Sequence, residues 1–193
     1  MVAVGVIAFQ GDFQRHLEVL RRLGAEARSV RRPEELEGLA GLVIPGGEST
    51  TIGLLMERFG LLHPVRNVIR EGLPVLGTCA GAILLAREIE ESSQVHLGTL
   101  DIRIRRNAYG RQIDSFDASL SFTEDEDGAE QPIPGVFIRA PRITALGAGV
   151  LTLAALNGDP VVVRKENQLA LTFHPELTGD ARIHRLFLGM CAP

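Results

Sequence analysis

The stretch Pro74-Val75-Leu76-Gly77-Thr78-Cys79-Ala80-Gly81-Ala82-Ile83 decides the fold. An apolar strand ends in it, one cysteine stands between small residues, and an apolar helix begins at once. Gly77-x-Cys79-x-Gly81 is the cysteine form of a nucleophile elbow. Small residues are required because the turn is too tight for bulky side chains and holds its central residue in a strained backbone conformation. The helix that follows points its N-terminus at the sulfur, and its dipole and free N–H groups favour thiolate over thiol. Taken alone, the stretch is also compatible with a small buried thiol that only packs behind a core strand.

Upstream, Val2–Phe9 is a continuous apolar run, the pattern of a parallel strand buried on both faces. Phe13–Leu23 carries Leu17, Leu20 and Leu23 at helical spacing and stops at Gly24. Ala27–Val30 reads as a weak second strand and Gly41–Ile44 as a third, broken by Pro45-Gly46-Gly47. Ser49 or Thr50 is expected to cap a helix running through Phe59. A further helical piece, Pro64–Arg70, leads to Gly72 and Pro74. Strand Val75–Leu76, the elbow and a helix over Ala80–Arg87 follow. Alternating strands and helices predict an α/β domain with a mostly parallel sheet.

The middle of the chain changes character. Leu100–Arg105 alternates apolar and polar residues, as a half-exposed strand does. Phe116–Phe122, Gly135–Arg139, Gly149–Leu156 and Val161–Arg164 read as further strands, with Asn157-Gly158 as a hairpin turn. The acidic run Thr123–Gly128 reads as a solvated loop. Leu169–Phe173 is a last buried strand. Asp180–Cys191 is a closing helix with Ile183, Leu186, Phe187 and Met190 on one face. The 193 residues contain no repeat, no low-complexity linker and no evident boundary, so one domain over 1–193 is expected.

Composition narrows the function. The formal net charge of −4 gives no general attraction to nucleic acid or to an anionic membrane. Trp is absent, which argues against base-stacking platforms. The two cysteines, Cys79 and Cys191, make neither a disulfide scaffold nor a zinc site. The apolar N-terminus lacks a basic n-region and is shorter than a membrane span, so a reducing cytoplasm is the expected compartment.

A cysteine nucleophile needs a base, and the base needs an orienting group. His174-Pro175-Glu176 directly follows the last strand. Pro175 pushes His174 towards an extended conformation, in which Glu176 shares its face and can hydrogen-bond the imidazole. In a parallel sheet the elbow and this histidine both lie at carboxyl ends of strands, the edge where sites form. Pro45-Gly46-Gly47-Glu48-Ser49-Thr50 is a third element at that edge. Its glycines expose backbone N–H groups suited to an oxyanion hole, and the bland alternative is a strand-to-helix turn capped by Ser49. A phosphate cradle is disfavoured, because there is no P-loop lysine and Glu48 would repel phosphate. His16, His63, His96 and His184 belong to no second constellation and are assigned no chemistry. Cys191 is expected to be a packing residue.

These motifs resemble a known family. Gly-Thr-Cys79-Ala-Gly followed far downstream by His174-Pro-Glu176 is similar to the triad-type glutamine amidotransferases. Gln10-Gly11, the Pro45–Thr51 run and Arg106-Asn-Ala-Tyr-Gly-Arg-Gln112 resemble one branch of it, the glutaminase subunits of pyridoxal 5′-phosphate synthases. The resemblance covers essentially the whole chain and implies a three-layer, flavodoxin-like sandwich with antiparallel additions. It also implies hydrolysis of L-glutamine to glutamate and ammonia by Cys79, His174 and Glu176. By the same match Gly47, Glu48, Ser49, Arg106, Ile138 and Arg139 would bind glutamine. Gly46, Gly47 and Ala80 would line the oxyanion hole. The family implies a partner as well, a TIM-barrel synthase subunit that receives the ammonia, with Gln10 and Gly11 in the contact surface. Pyridoxal phosphate would be the product of the complex, and no cofactor or metal is expected on this chain. Service to a different amidotransferase, or a γ-glutamyl hydrolase-like activity, are the alternatives.

Overall fold

The computed structural model describes residues 1–106, 108, 115–123 and 131–192. In chain order the elements are β1 (Ala3–Ile7), α1 (Phe13–Arg22), β2 (Glu26–Val30), β3 (Gly41–Ile44), α2 (Ser49–Arg58) and α3 (Leu62–Arg70). Then come β4 (Val75–Thr78), α4 (Ala80–Leu85), β5 (Ala86–Ile89), β6 (Leu100–Arg105), β7 (Phe116–Phe122) and β8 (Gln131–Phe137). The chain closes with β9 (Arg142–Leu146), β10 (Leu151–Leu156), β11 (Asp159–Lys165), β12 (Gln168–Leu171) and α5 (Arg182–Cys191).

The main sheet has the order β2-β1-β3-β4-β12-β11-β10-β7-β8. Its first five strands are parallel, with β4 held between β3 and β12. The last four continue it antiparallel. A smaller sheet, β5-β6-β9, stands beside it. Successive strand residues feed opposite cores: Leu42 and Ile44 of β3 join one cluster and Val43 the other. The first core is covered by α2, α3 and α4 through Ile52, Met56, Val65, Ile69 and Leu84. The second is covered by α1 and α5 through Leu17, Leu20, Ile183 and Phe187. Two cores, one per face, make the three-layer α/β arrangement that a continuous apolar strand pattern demands.

Several boundaries differ from the sequence-based expectation. The helix expected over Ala80–Arg87 ends at Leu85, and Ala86 starts β5, which pairs in parallel with β6. β5 and β9 are short and were not expected. The strand expected over Gly135–Arg139 runs instead over Gln131–Phe137. It tolerates Pro132 and Pro134 because β8 ends the sheet order and pairs on one side only. The cap of α2 is Glu48, whose carboxylate accepts from the Thr51 backbone N–H at 3.1 Å, and not Ser49 or Thr50. The hairpin turn at Asn157-Gly158 is present, with φ of 53° and 87° at its two residues. The acidic run beyond Thr123, and most of Asn107–Gln112, lie outside the described residues.

Cys191 packs as expected. A Cβ placed on Gly41 would lie 2.3 Å from its sulfur, so the bare glycine of β3 is what admits the end of α5. Burial pushes the Cys191 thiol up to about 12, which leaves it unreactive at neutral pH.

Candidate active site

The parallel register brings four strand ends to one edge. Thr78 pairs with Leu171, and Gly77 with Ile44. The residues just beyond them are Cys79, His174 and the Pro45–Glu48 turn, and the Gln10–Asp12 turn beyond β1 joins them. Cys79 adopts φ 47° and ψ −99°, a left-handed conformation costing a non-glycine residue on the order of 1–3 kcal/mol. Its backbone N–H donates to the Leu171 carbonyl at 2.8 Å, which fixes the turn against β12. The flanking glycines have distinct reasons. A Cβ on Gly77 would stand 2.8 Å from the Gly81 backbone, and one on Gly81 would stand 2.0 Å from the Ile44 carbonyl oxygen. Both must be bare for α4 to start this close to the sheet.

His174 donates from Nδ1 to Glu176 Oε1 at 2.7 Å, and both side chains are almost sealed from solvent. The sequence-based reason for the contact needs correction. The segment is not extended beyond His174; Pro175–Leu177 forms a 3₁₀ turn that folds the carboxylate back onto the ring. Burial is the largest influence on His174 and opposes its protonation. The hydrogen bonds and charges of Cys79 and Glu176 outweigh it and raise the imidazole to about 10. Burial likewise pushes the Glu176 carboxyl up, but the His16 and His174 rings outweigh it and hold the carboxyl well below the usual range. The arrangement therefore favours an imidazolium beside the sulfur.

A cleft of about 320 Å³ opens over Cys79 and His174. It is lined by all six residues expected to bind glutamine: Gly47, Glu48, Ser49, Arg106, Ile138 and Arg139. Asp12 and Ile83 also line it, and the sequence had not singled them out. The Arg106 guanidinium donates to Glu48 at 2.7 Å, to Thr50 at 3.0 Å and to Gln94 at 2.7 Å. Gln94 is the hidden organiser of this wall: its Oε1 also accepts from the Ser49 and Thr50 hydroxyls, each at 3.2 Å. The Cys79 thiol points towards the Ile138 carbonyl, 3.9 Å away, and Arg139 takes a left-handed φ of 45° beside it.

The glycine turn is packed on both sides. A Cβ on Gly46 would lie 2.3 Å from His174 Cε1. The Gly46 carbonyl accepts from the Asp12 N–H at 3.3 Å, and a Cβ on Gly11, at φ 91°, would collide with that carbonyl. Gln10 Oε1 accepts from the Glu48 N–H at 2.7 Å. The Gln10–Gly11 pair is thus built into the cleft wall. Ala80 is the first residue of α4, where N–H groups have no partner within the helix.

Two histidines that sequence reasoning left without chemistry lie behind the carboxylate. His16 of α1 and His184 of α5 are fully buried and meet at 3.1 Å, His16 Nδ1 to His184 Nε2. His63 and His96 lie away from the cleft; His63 contacts Arg66, and His96 contacts the backbone at Gln94 and Arg87. Among the described residues Asp12, His174 and Glu176 are the group whose ligand atoms lie close enough for a metal, within 4.8 Å of one another. Two of the three are already bonded to each other, so the cluster is better suited to proton handling than to metal binding.

The sequence profile of the SNO glutamine amidotransferase family matches residues 6–193. The chain belongs to that family. Among curated amidotransferase relatives, one from Carboxydothermus hydrogenoformans is 51% identical over 96% of this chain and 95% of its own. One from Pelotomaculum thermopropionicum is 53% identical over 97% of this chain and 94% of its own. Both are named pyridoxal 5′-phosphate synthase subunit PdxT. A crystal structure of a glutamine amidotransferase superposes with a TM-score of 0.91 at 50% identity, covering 97% of this chain and 98% of the other. The structure of PurLQS from Thermotoga maritima, at 16% identity and a TM-score of 0.74 over 98% and 97%, shares the fold alone. No helix among the described residues of this amidotransferase is long and apolar enough to cross a membrane.

Proposed function

We propose that this chain is the glutaminase subunit of a pyridoxal 5′-phosphate synthase, hydrolysing L-glutamine to L-glutamate and ammonia. The observation that carries the chemistry is the strained Cys79 at a cleft floor beside a His174 imidazole raised to about 10 by Cys79 and Glu176 against the effect of burial. Family membership and relatives near 50% identity carry the assignment to this synthase.

Cys79 thiolate attacks the side-chain amide carbon, forming a C–S bond. Gly46, Gly47 and Ala80 supply backbone donors for the oxyanion. His174 gives its proton to the departing nitrogen, which leaves as ammonia with a glutamyl thioester behind. His174 then takes a proton from water as the water attacks the thioester, and glutamate is released. Glu176 orients the ring and stabilises its charge throughout. Glutamine is a zwitterion at its other end. The Glu48 carboxylate suits its ammonium and the Arg106 guanidinium its carboxylate, with Gly47, Ser49, Ile138 and Arg139 closing the pocket. Ammonia passes to a TIM-barrel synthase subunit in the cytoplasm, and the Gln10–Gly11 turn, exposed at Gln10 and half-buried at Gly11, forms part of the docking surface.

The test is glutamate release by the purified chain mixed with its synthase subunit. Glutamine should be turned over and asparagine hardly at all, since its amide falls one methylene short of Cys79. Equal turnover of the two would contradict the pocket.

A further inference from the structure

We propose that His16 is a positioning residue of this reaction, holding Glu176 from the side opposite His174. The inference rests on the reading of Cys79, His174 and Glu176 as the reacting set. Glu176 uses one oxygen, Oε1, on His174. Its other oxygen, Oε2, is buried without a hydrogen bond among the described residues, and faces His16 Nε2 at 3.4 Å. Both side chains are inaccessible to solvent. A buried carboxylate oxygen left without a donor is costly, so the ring nitrogen beside it matters to where the carboxylate sits.

His16 reaches three elements at once. Its Nε2 also lies 3.2 Å from Thr78 Oγ1, on the residue that precedes Cys79. Its Nδ1 meets His184 Nε2, and His184 Nδ1 has no partner. A buried nitrogen lone pair without a partner is tolerated better than a buried N–H without one. His184 therefore donates from Nε2 to His16 Nδ1, and His16 presents its own Nε2–H to Glu176 and Thr78. The groups facing this set are His174 and Asp12 from the cleft side, the latter 4.0 Å from His174 Nδ1, and Arg22 near His184. The order from the protein interior to the cleft is His184, His16, Glu176, His174, Cys79. Glu176 is the shared acceptor in this line, facing the N–H of His16 on one side and accepting from His174 on the other, and these contacts fix the tautomer of each ring.

Two amide variants separate positioning from mere packing. His16→Gln puts an N–H near the Nε2 position, and His16→Asn puts one only near Nδ1. The probes are glutamate release in the assembled complex and the pH dependence of Cys79 alkylation by iodoacetamide on the chain alone. His16→Gln should stay near the parent in both. His16→Asn should lose about tenfold or more in kcat with KM little changed, as loss of an outer partner does. Its alkylation profile should move by about one pH unit, because Glu176 then stabilises the imidazolium less well. Equal behaviour of Gln and Asn, whether both active or both impaired, would overturn the proposal. Activity surviving in Cys79→Ala would instead remove the reading beneath it, so the two failures are distinguishable.

Discussion

Glu176 Oε1 lies 2.7 Å from His174 Nδ1, and the two residues are only two apart in sequence with Pro175 between them. The 3₁₀ turn at Pro175 makes this contact local and so independent of distant packing. The carboxylate is the lasting negative charge beside the ring, whereas the sulfur loses its charge once acylated. Glu176→Gln keeps the shape and removes the charge. Glutamate release should fall by roughly 10²–10⁴, the range for disabling a general acid–base group. The alkaline limb of its pH profile should move to lower pH, because one of the influences raising His174 is gone. A profile identical to that of the parent chain would show that Glu176 does not act on His174.

Gln94 sits in the segment between β5 and β6 and does not line the cleft, yet two lining residues, Ser49 and Arg106, and the adjacent Thr50 donate to its Oε1. Gln94→Leu leaves the Ser49 and Thr50 hydroxyls and the Arg106 guanidinium without that acceptor. Arg106 then keeps Glu48 and Thr50 but loses the third acceptor that fixes its plane. KM for glutamine should rise about tenfold, equivalent to ~1.4 kcal/mol of binding, with kcat much less affected. Steady-state kinetics in the assembled synthase measure this. An unchanged KM would mean that Glu48 and Thr50 hold Arg106 in place without Gln94.

Much of the site is legible in sequence because its constraints are local. The Gly77-x-Cys79-x-Gly81 spacing reports two backbone approaches under 3 Å, and those demand glycine whatever surrounds them. His174-Pro175-Glu176 reports its own contact. The parallel strands β1, β3 and β4 are legible because burial on both faces leaves uninterrupted apolar runs. His16 was hidden because its role depends on α1, β4 and α5 converging. The helical spacing of Phe13–Arg22 does place His16 on the apolar face with Leu17, Val19 and Leu20, so its burial was legible, but its partners on β4 and α5 were not. Gln94 was hidden for the same reason, having no motif and acting through a single oxygen. β5 and β9 are too short to show a period, and the prolines of β8 concealed an edge strand.

Acid stability follows from His184. Burial is the main influence and the neighbouring His16 the next, and together they push it down to about 3. The unfolded value is ~6.5, so the unfolded chain binds a proton that the folded chain refuses. The stabilisation from this group is complete above ~6.5 and is lost as pH falls towards about 3. Glu176, also depressed, adds a loss that begins below ~4.5. The melting temperature should drop by roughly 2–4 °C per pH unit between pH 6 and 5, corresponding to ~1 kcal/mol per unit. His184→Gln keeps a donor towards His16 and cannot titrate, so its decline over that interval should be shallower. Parallel curves for the two proteins would assign the acid sensitivity elsewhere.

The central claim is that Cys79 is the nucleophile that opens the glutamine amide. The most direct measurement is glutamate release by the Cys79→Ala chain assembled with its synthase subunit, beside a Cys191→Ala control. Cys191 is buried against Gly41 and far from the cleft, so its variant should retain glutaminase activity. Cys79→Ala should release no glutamate above the uncatalysed background while still assembling with the partner. Glutamate release by Cys79→Ala at the parent rate would contradict the account.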